Sequence, residues 1–172
     1  MKELFALRTL RITDAPFMLE WMHDDSVTHD LQNNFAEKTL EDCLCFIERA
    51  LDNHDDLHLA IVNQHDEYMG TVSLKHITDT NAEFAITVRK KAMGSGCSGW
   101  AMRRIIEKAL HEMNLQEVYW CVSPANKRAL RFYDKNRYER VNFRELTVTK
   151  QECMRAYSEQ QLQEYIWYHV LQ

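Results

Sequence analysis

The chain has 172 residues, 45% of them hydrophobic and 27% charged, which suits a single domain, 1–172, with its own core. A formal charge of −5 argues against a general nucleic-acid binder, and no apolar run approaches the ~20 residues of a membrane span. The opening Met1-Lys-Glu-Leu-Phe5 lacks the apolar core of a secretory signal, and five scattered cysteines show neither a CxxC pair nor zinc spacing. The expectation is a cytoplasmic protein with reduced thiols and no metal.

Phe5 to Arg11 reads as a first strand. Thr13 and Asp14 open a helix that tolerates Pro16 in its first turn and turns Phe17, Met18, Trp21 and Met22 inward. His23 to Ser26 closes it in polar residues, and Val27 to Glu37 reads as irregular. Thr39 with Asp42 is an N-cap with an acidic partner, ahead of a helix whose apolar face is Leu40, Cys43, Leu44, Ile47, Ala50 and Leu51. Cys43 and Cys45 point different ways on it. Strands follow at Leu57–Val62, Tyr68–His76 and Ala82–Val88, with turns at Asn63–Glu67 and Thr78–Asn81. His54 and His58 are four apart, but flanking loop residues make them surface histidines rather than metal ligands.

Arg89, Lys90 and Lys91 come next, and then Gly94, Gly96 and Gly99 fall within six residues. An amphipathic stripe follows at Met102, Ile105, Ile106, Ala109, Leu110 and Met113, with Asn114 as its stop. Strand, glycine loop, helix is the order of an anion site. Glycine lets the backbone approach a ligand, and the first N–H groups of a helix have no internal acceptor. Three cations before the loop add attraction. The spacing is neither the dinucleotide fingerprint nor a Walker loop. Taken alone, it reads equally as a connection without a ligand.

Further on, Glu117–Val122 is a strand and Ser123-Pro124 caps a helix. Asn126 and Tyr133, seven apart, share a face of that helix. Tyr138–Leu146 reads as a strand, Thr149 and Ser158 as caps of short helices, and Tyr165–Leu171 as a final strand. An exposed strand edge near the C-terminus would let two copies pair as a homodimer.

Three stretches resemble the GNAT superfamily of N-acetyltransferases. Its pyrophosphate loop is a valine, four residues, Arg or Gln, then x-x-Gly-x-Gly/Ala. Val88 and Gly96 match, while Met93 replaces the Arg or Gln and Ser98 the Gly/Ala. Asn126, Ala129 and Tyr133 match an Asn-x-x-Ala-x-x-x-Tyr segment, whose later glycine and phenylalanine are here Arg137 and Tyr138. A left-handed Arg137 would cost about 1–2 kcal/mol, so Asn136 is the better bearer of that conformation. Leu7-Arg-Thr-Leu-Arg, Asp14, Glu20-Trp21 and Asp24 are similar to the opening of the branch that acetylates ribosomal-protein N-termini and of its sugar-modifying relatives.

The resemblance implies an α/β (α+β) fold, a single mixed and mostly antiparallel sheet of about seven strands flanked by helices. It implies acetyl-CoA as co-substrate and a small-molecule or peptide amine as acceptor. Gly94, Ser95, Gly96, Cys97, Ser98 and Gly99, with Met93, would cradle the pyrophosphate, and Ile86 and Val88 would offer strand backbone to the pantetheine arm. Asn126 would bind that arm as well, and Tyr133 would protonate the departing thiolate. A phenol with pKa about 10 is protonated at pH 7. Glu83 is the carboxylate best placed as base, directly or through water, although it reads equally as a solvated strand-end charge. The first two helices would wall the acceptor pocket, with Trp21, His23 and Asn34 as contacts. The alternatives are a non-catalytic acyl-CoA-binding module, favoured by the departures at Met93 and Ser98, and an unrelated binder of phosphate esters.

Overall fold

The computed structural model describes residues 3–172, so Met1 and Lys2 of the opening lie outside it. Seven strands are hydrogen-bonded in the order β1-β2-β3-β4-β5-β7-β6: β1 (Phe5–Thr9), β2 (Leu57–Asn63), β3 (Tyr68–Lys75), β4 (Asn81–Val88), β5 (Glu117–Val122), β6 (Glu139–Val141) and β7 (Ile166–Leu171). The chain forms two compact units. One takes the chain up to Lys75 together with Ala85–Ile105, the other His76–Phe84 with Ile106–Gln172.

In the first unit, β1 ends two residues earlier than its sequence suggests. The Asp14 carboxylate turns the chain by accepting from Arg8 Nη1 and Nη2 at 2.8 Å and from the Arg11 amide at 2.9 Å. The helix α1 (Ala15–Met22) follows with Pro16 in its first turn, as expected. A one-turn helix, α2 (Asp25–Thr28), stands where the sequence reads as irregular. The Asp24 carboxylate starts it by accepting the Ser26 amide at 2.9 Å. The helix α3 (Leu40–Asp52) carries the reciprocal Thr39–Asp42 cap. Its buried face is narrower than expected: Cys43 and Ile47 are enclosed, while Leu40 and Leu51 are 44% and 55% exposed. Cys43 is buried and Cys45 exposed, as their spacing implies. A core of Leu10, Met18, Trp21, Met22, Val27, Cys43 and Ile47 joins these helices to Ala60, Val62 and Tyr68 of the strands.

In the second unit, β5 pairs in parallel with β4, Asn81–Glu83 opposite Glu117–Tyr119, and antiparallel with β7 along its whole length. A second core gathers Tyr119, Leu146, Val148, Cys153, Leu162 and Trp167. The expected strand Tyr138–Leu146 is cut to three residues. Asn142 and Glu145 cap each other reciprocally, which bends the chain into a 3₁₀ turn. The last strand, β7, has β5 on one side and β6 on the other, so β6 is the edge strand of the C-terminal part of the sheet. The short helices α6 (Lys150–Cys153) and α7 (Glu159–Glu164) carry the expected caps, Thr149 and Ser158. Among the described residues, no helix is long and apolar enough to cross a membrane, and no group of three or more His, Cys, Asp or Glu is placed to hold a metal ion.

Gly70 sets the spacing of the first unit's strands. A Cβ added there would lie 2.5 Å from the Thr87 carbonyl oxygen and 2.8 Å from Val88 Cα, both backbone atoms that cannot swing aside. Gly70→Ala is expected to destabilise the fold by about 1–3 kcal/mol, lowering Tm by several degrees in a thermal melt. An unchanged Tm would contradict this packing.

Candidate functional site

The glycine loop belongs to the first unit. After β4 the chain makes a 3₁₀ turn at Lys90–Ala92 and then takes left-handed backbone at Gly94 (φ 76°) and Gly96 (φ 84°). No atom lies within 4 Å of where a Cβ would sit on either glycine, so both faces are open. The helix α4 (Cys97–Glu107) starts here and runs on into a π-helical segment, Lys108–Glu112. Its first internal bond joins the Trp100 amide to the Gly96 carbonyl at 3.1 Å. The Ser98 and Gly99 amides precede that bond and have no intrahelical acceptor. The Cys97 amide turns back to Ser95 Oγ at 3.3 Å. Open glycine faces beside uncommitted amides at the positive end of a helix suit a phosphate or pyrophosphate. The Cys97 thiol is buried, which pushes its pKa up to about 11, so it fills space rather than serving as a nucleophile.

The three cations before the loop do not act together. Arg89 is buried, giving bonds to both Glu20 carboxylate oxygens at 3.0 and 2.8 Å, to Glu67 at 3.0 Å and to the Tyr68 carbonyl at 2.9 Å. Its guanidinium also lies 4.6 Å from the centroid of the Phe17 ring. Lys91 reaches both Glu67 oxygens at 2.9 Å. Lys90 is exposed, with the Asp24 carboxylate near enough to feel its charge. The Met93 side chain packs against the first core, so this residue offers the loop its backbone only. Ile86 and Val88 lie on β4 beyond its ladder with β5, Val88 buried and Ile86 partly so.

The expected acceptor contacts belong to the same unit and are largely occupied. Trp21 is a core residue that gives its Nε1 hydrogen to the Tyr68 hydroxyl at 3.2 Å and meets the Phe35 ring edge-on. His23 Nε2 lies 2.7 Å from the Lys38 carbonyl, and Asn34 Oδ1 accepts the Ala36 amide at 3.2 Å. His58 is no surface residue. It sits in β2 with Nδ1 2.7 Å from Ser73 Oγ, and burial holds its pKa down.

The second unit holds Glu83, Asn126 and Tyr133. The cap of α5 (Lys127–Lys135) is Asn126 rather than Ser123-Pro124. Its Oδ1 accepts the Ala129 amide at 3.0 Å, so the cap uses the side-chain oxygen and not the side-chain amide nitrogen. Arg137 carries the left-handed backbone at φ 62°, and Asn136 stays at φ −83°. Tyr133 packs among Trp120, Phe132, Tyr138 and Tyr168, with ring centroids 5.2 to 6.3 Å away. Burial pushes its phenol above the usual range, so it is neutral at pH 7. Among the described residues its hydroxyl takes no hydrogen-bond partner, and the one enclosed polar side-chain atom lacking a partner is Trp120 Nε1.

Glu83 is not a solvated strand end. It is 2% exposed, and its carboxylate accepts from the Tyr157 hydroxyl and from His76 Nδ1 at 2.9 Å. Neither partner is legible in the sequence. Tyr157 is 74 residues away from Glu83, and His76 reads as a strand end.

A sequence model described as an acetyltransferase (GNAT) domain matches residues 5–139. Among solved structures, the chain is similar to the spermidine N-acetyltransferase from Vibrio cholerae in complex with CoA and spermine, at 16% identity and a TM-score of 0.76, covering 99% of this chain and 97% of that one. It is similar to an acetyltransferase of the GNAT family from Bacillus anthracis, at 16% identity and a TM-score of 0.75, covering 99% and 96%. No match was found among curated protein sequences. The structural likeness shows the shared fold, a seven-stranded mixed sheet flanked by helices.

The cluster that anchors the loop predicts a pH dependence. Lys91 first, then Arg89, holds the Glu67 carboxyl down from its usual 4.5 to about 2. Its contribution to stability is complete above pH 4.5 and lost as pH falls toward 2. Glu67→Gln is expected to flatten the fall of Tm with acid across that window. Wild-type and variant curves running parallel there would contradict the pairing.

Proposed function

The chain belongs to the GNAT family of acetyltransferases, and on that premise we propose how its own residues carry out the transfer. It is an acetyl-CoA-dependent N-acetyltransferase. The observation that carries the proposal is the loop itself. Within the segment that the family matches, left-handed Gly94 and Gly96 present open faces just ahead of the uncommitted Ser98 and Gly99 amides.

In this reading the backbone from Met93 to Gly99 grips the diphosphate of the co-substrate, and Lys90 adds charge. Acetyl-CoA supplies an acetyl thioester, which a neutral amine attacks directly. Ile86 and Val88 align the pantetheine arm through backbone groups of β4, together with the side-chain amide nitrogen of Asn126. A β4 backbone N–H meets the oxyanion that develops on the carbonyl, an interaction typically worth about 2.7–4 kcal/mol. Tyr133 gives its proton to the departing thiolate, and its raised pKa keeps that proton in place until the sulfur becomes basic. Glu83 is the carboxylate on the side that takes protons from the amine. We assign the acceptor side to Trp21, His23 and Asn34, with Trp21 supporting Phe35 rather than reaching the ligand itself. The acceptor class is a primary amine, and polyamines head the probes because the similar Vibrio cholerae structure holds spermine. Five cysteines outside any disulfide fit a cytoplasmic setting.

Acetyl-CoA is expected to raise Tm, since a ligand at ~1,000 times its Kd adds about 4.1 kcal/mol to stability. No shift with CoA or acetyl-CoA would overturn the assignment of the loop. Tyr133→Phe is expected to keep that shift and to slow thiol release by about 10²-fold or more across a panel of polyamines, amino sugars and peptides. Turnover unchanged from wild type would remove Tyr133 from the mechanism.

A further inference from the structure

The buried carboxylate of Glu83 has a half-exposed neighbour. His76 Nδ1 lies 2.9 Å from Glu83 Oε2, and the imidazole side chain keeps 50% of its exposure while that of Glu83 keeps 3%. The Tyr157 hydroxyl holds the other carboxylate oxygen. A carboxylate only accepts, so its partner nitrogen Nδ1 carries the hydrogen, and Nε2 of the neutral ring is the basic nitrogen. His76 also has φ 51°, left-handed backbone that a residue with a side chain seldom adopts. Such conformations persist where surrounding structure over-determines them, and they gather at functional sites. A buried carboxylate behind an imidazole whose outer nitrogen faces away from it is the arrangement that orients a histidine base and stabilises its imidazolium form.

We propose that His76 is the general base of the reaction, with Glu83 and Tyr157 as positioning residues; this rests on the N-acetyltransferase reading above. Nε2 takes one proton from the acceptor ammonium and passes it to solvent from the exposed side of the ring. The freed lone pair attacks the thioester carbon, and the electrons of the carbon–sulfur bond leave on sulfur, which takes the Tyr133 proton. The second amine proton replaces the one that Tyr133 gave. The sum is ammonium plus thioester to amide, thiol and one released proton.

Three other titratable groups around this pair stay neutral while an imidazole titrates, and a fourth, Glu152, stays charged. Burial pushes up Tyr119 on β5, Tyr157, and Cys153 on α6, the last to about 12. Cys121 faces Tyr157, and Glu152 stands near Tyr119 and Cys153, its carboxyl held low by the Thr149 amide and hydroxyl.

The test is a pH profile of kcat on the full chain, with saturating acetyl-CoA and an amine that the wild type acetylates, for wild type, His76→Asn and Glu83→Gln. Asparagine tolerates left-handed backbone, so His76→Asn keeps the local fold. A base must be neutral, so wild-type activity is expected to rise with pH along an acidic limb. His76→Asn is expected to lose that limb and about 10²-fold or more of kcat near pH 7, to retain the Tm shift with acetyl-CoA, and to regain activity with added imidazole. Glu83→Gln is expected to lose activity as well, because it no longer fixes the tautomer. A His76→Asn profile that matches wild type overturns the proposal, and a matching His76→Asn beside an inactive Glu83→Gln makes Glu83 itself the base. A wild-type chain that binds no acetyl-CoA overturns the underlying reading with it.

Discussion

One buried guanidinium settles where the glycine loop begins. Arg89 follows β4 directly, and its amide bonds to the Met69 carbonyl at 2.9 Å while its side chain joins Glu20 of α1 to Glu67 of the β2–β3 turn. A buried cation stripped of its partners costs several kcal/mol, so these contacts form together or fail together. The four residues after Arg89 leave little slack before Gly94, whose left-handed backbone redirects the chain. The amides of Ser98 and Gly99 are thus presented from a fixed base. Rigid presentation matters, because ordering donors beforehand leaves less entropy to lose when an anion binds.

The two units divide the chemistry by residue type. The first carries backbone donors, which suit a diphosphate and need no side-chain charge. The second carries the titratable side chains of Tyr133 and Glu83, to which the proposal gives the proton transfers. There the low polarity around Tyr133 keeps its proton in place, and the rings of Trp120 and Tyr168, stacked 5.5 Å apart at 6°, confine it. Burial that disfavours charge on Tyr133 also makes an isolated Glu83 carboxylate costly, which is why that carboxylate is found with two hydrogen-bond partners.

Much of this was legible in the residue order, for reasons that are local. Thr39 with Asp42, Thr149 with Glu152, and Ser158 with Gln161 specify helix starts within four residues, and all three caps are present. The alternation and bounding turns of β2 to β5 depend on neighbouring residues in the same way. What was not legible depends on partners far along the chain. The early end of β1 needs Asp14 to meet Arg8, and the loss of Arg89 as a loop cation needs Glu20 and Glu67, 69 and 22 residues away. The cut in the expected strand after Tyr138 is instructive because its cause is local. Asn142 and Glu145 form the same reciprocal cap as Thr39 and Asp42, inside a stretch of mixed polar and apolar residues that reads as extended. Arg137 takes the left-handed turn because the helix before it ends through Asn136, whose side-chain amide gives a 2.7 Å bond to the Phe132 carbonyl instead. His76 and Tyr157 beside Glu83 have no sequence signal at all, since neither spacing nor periodicity ties them.

The account turns on which amides meet the diphosphate, and amide chemical shifts measure that directly. On titrating CoA into isotopically labelled protein, the account predicts the largest shifts at Gly96, Ser98 and Gly99. Saturable CoA binding that leaves those three amides unmoved would contradict it.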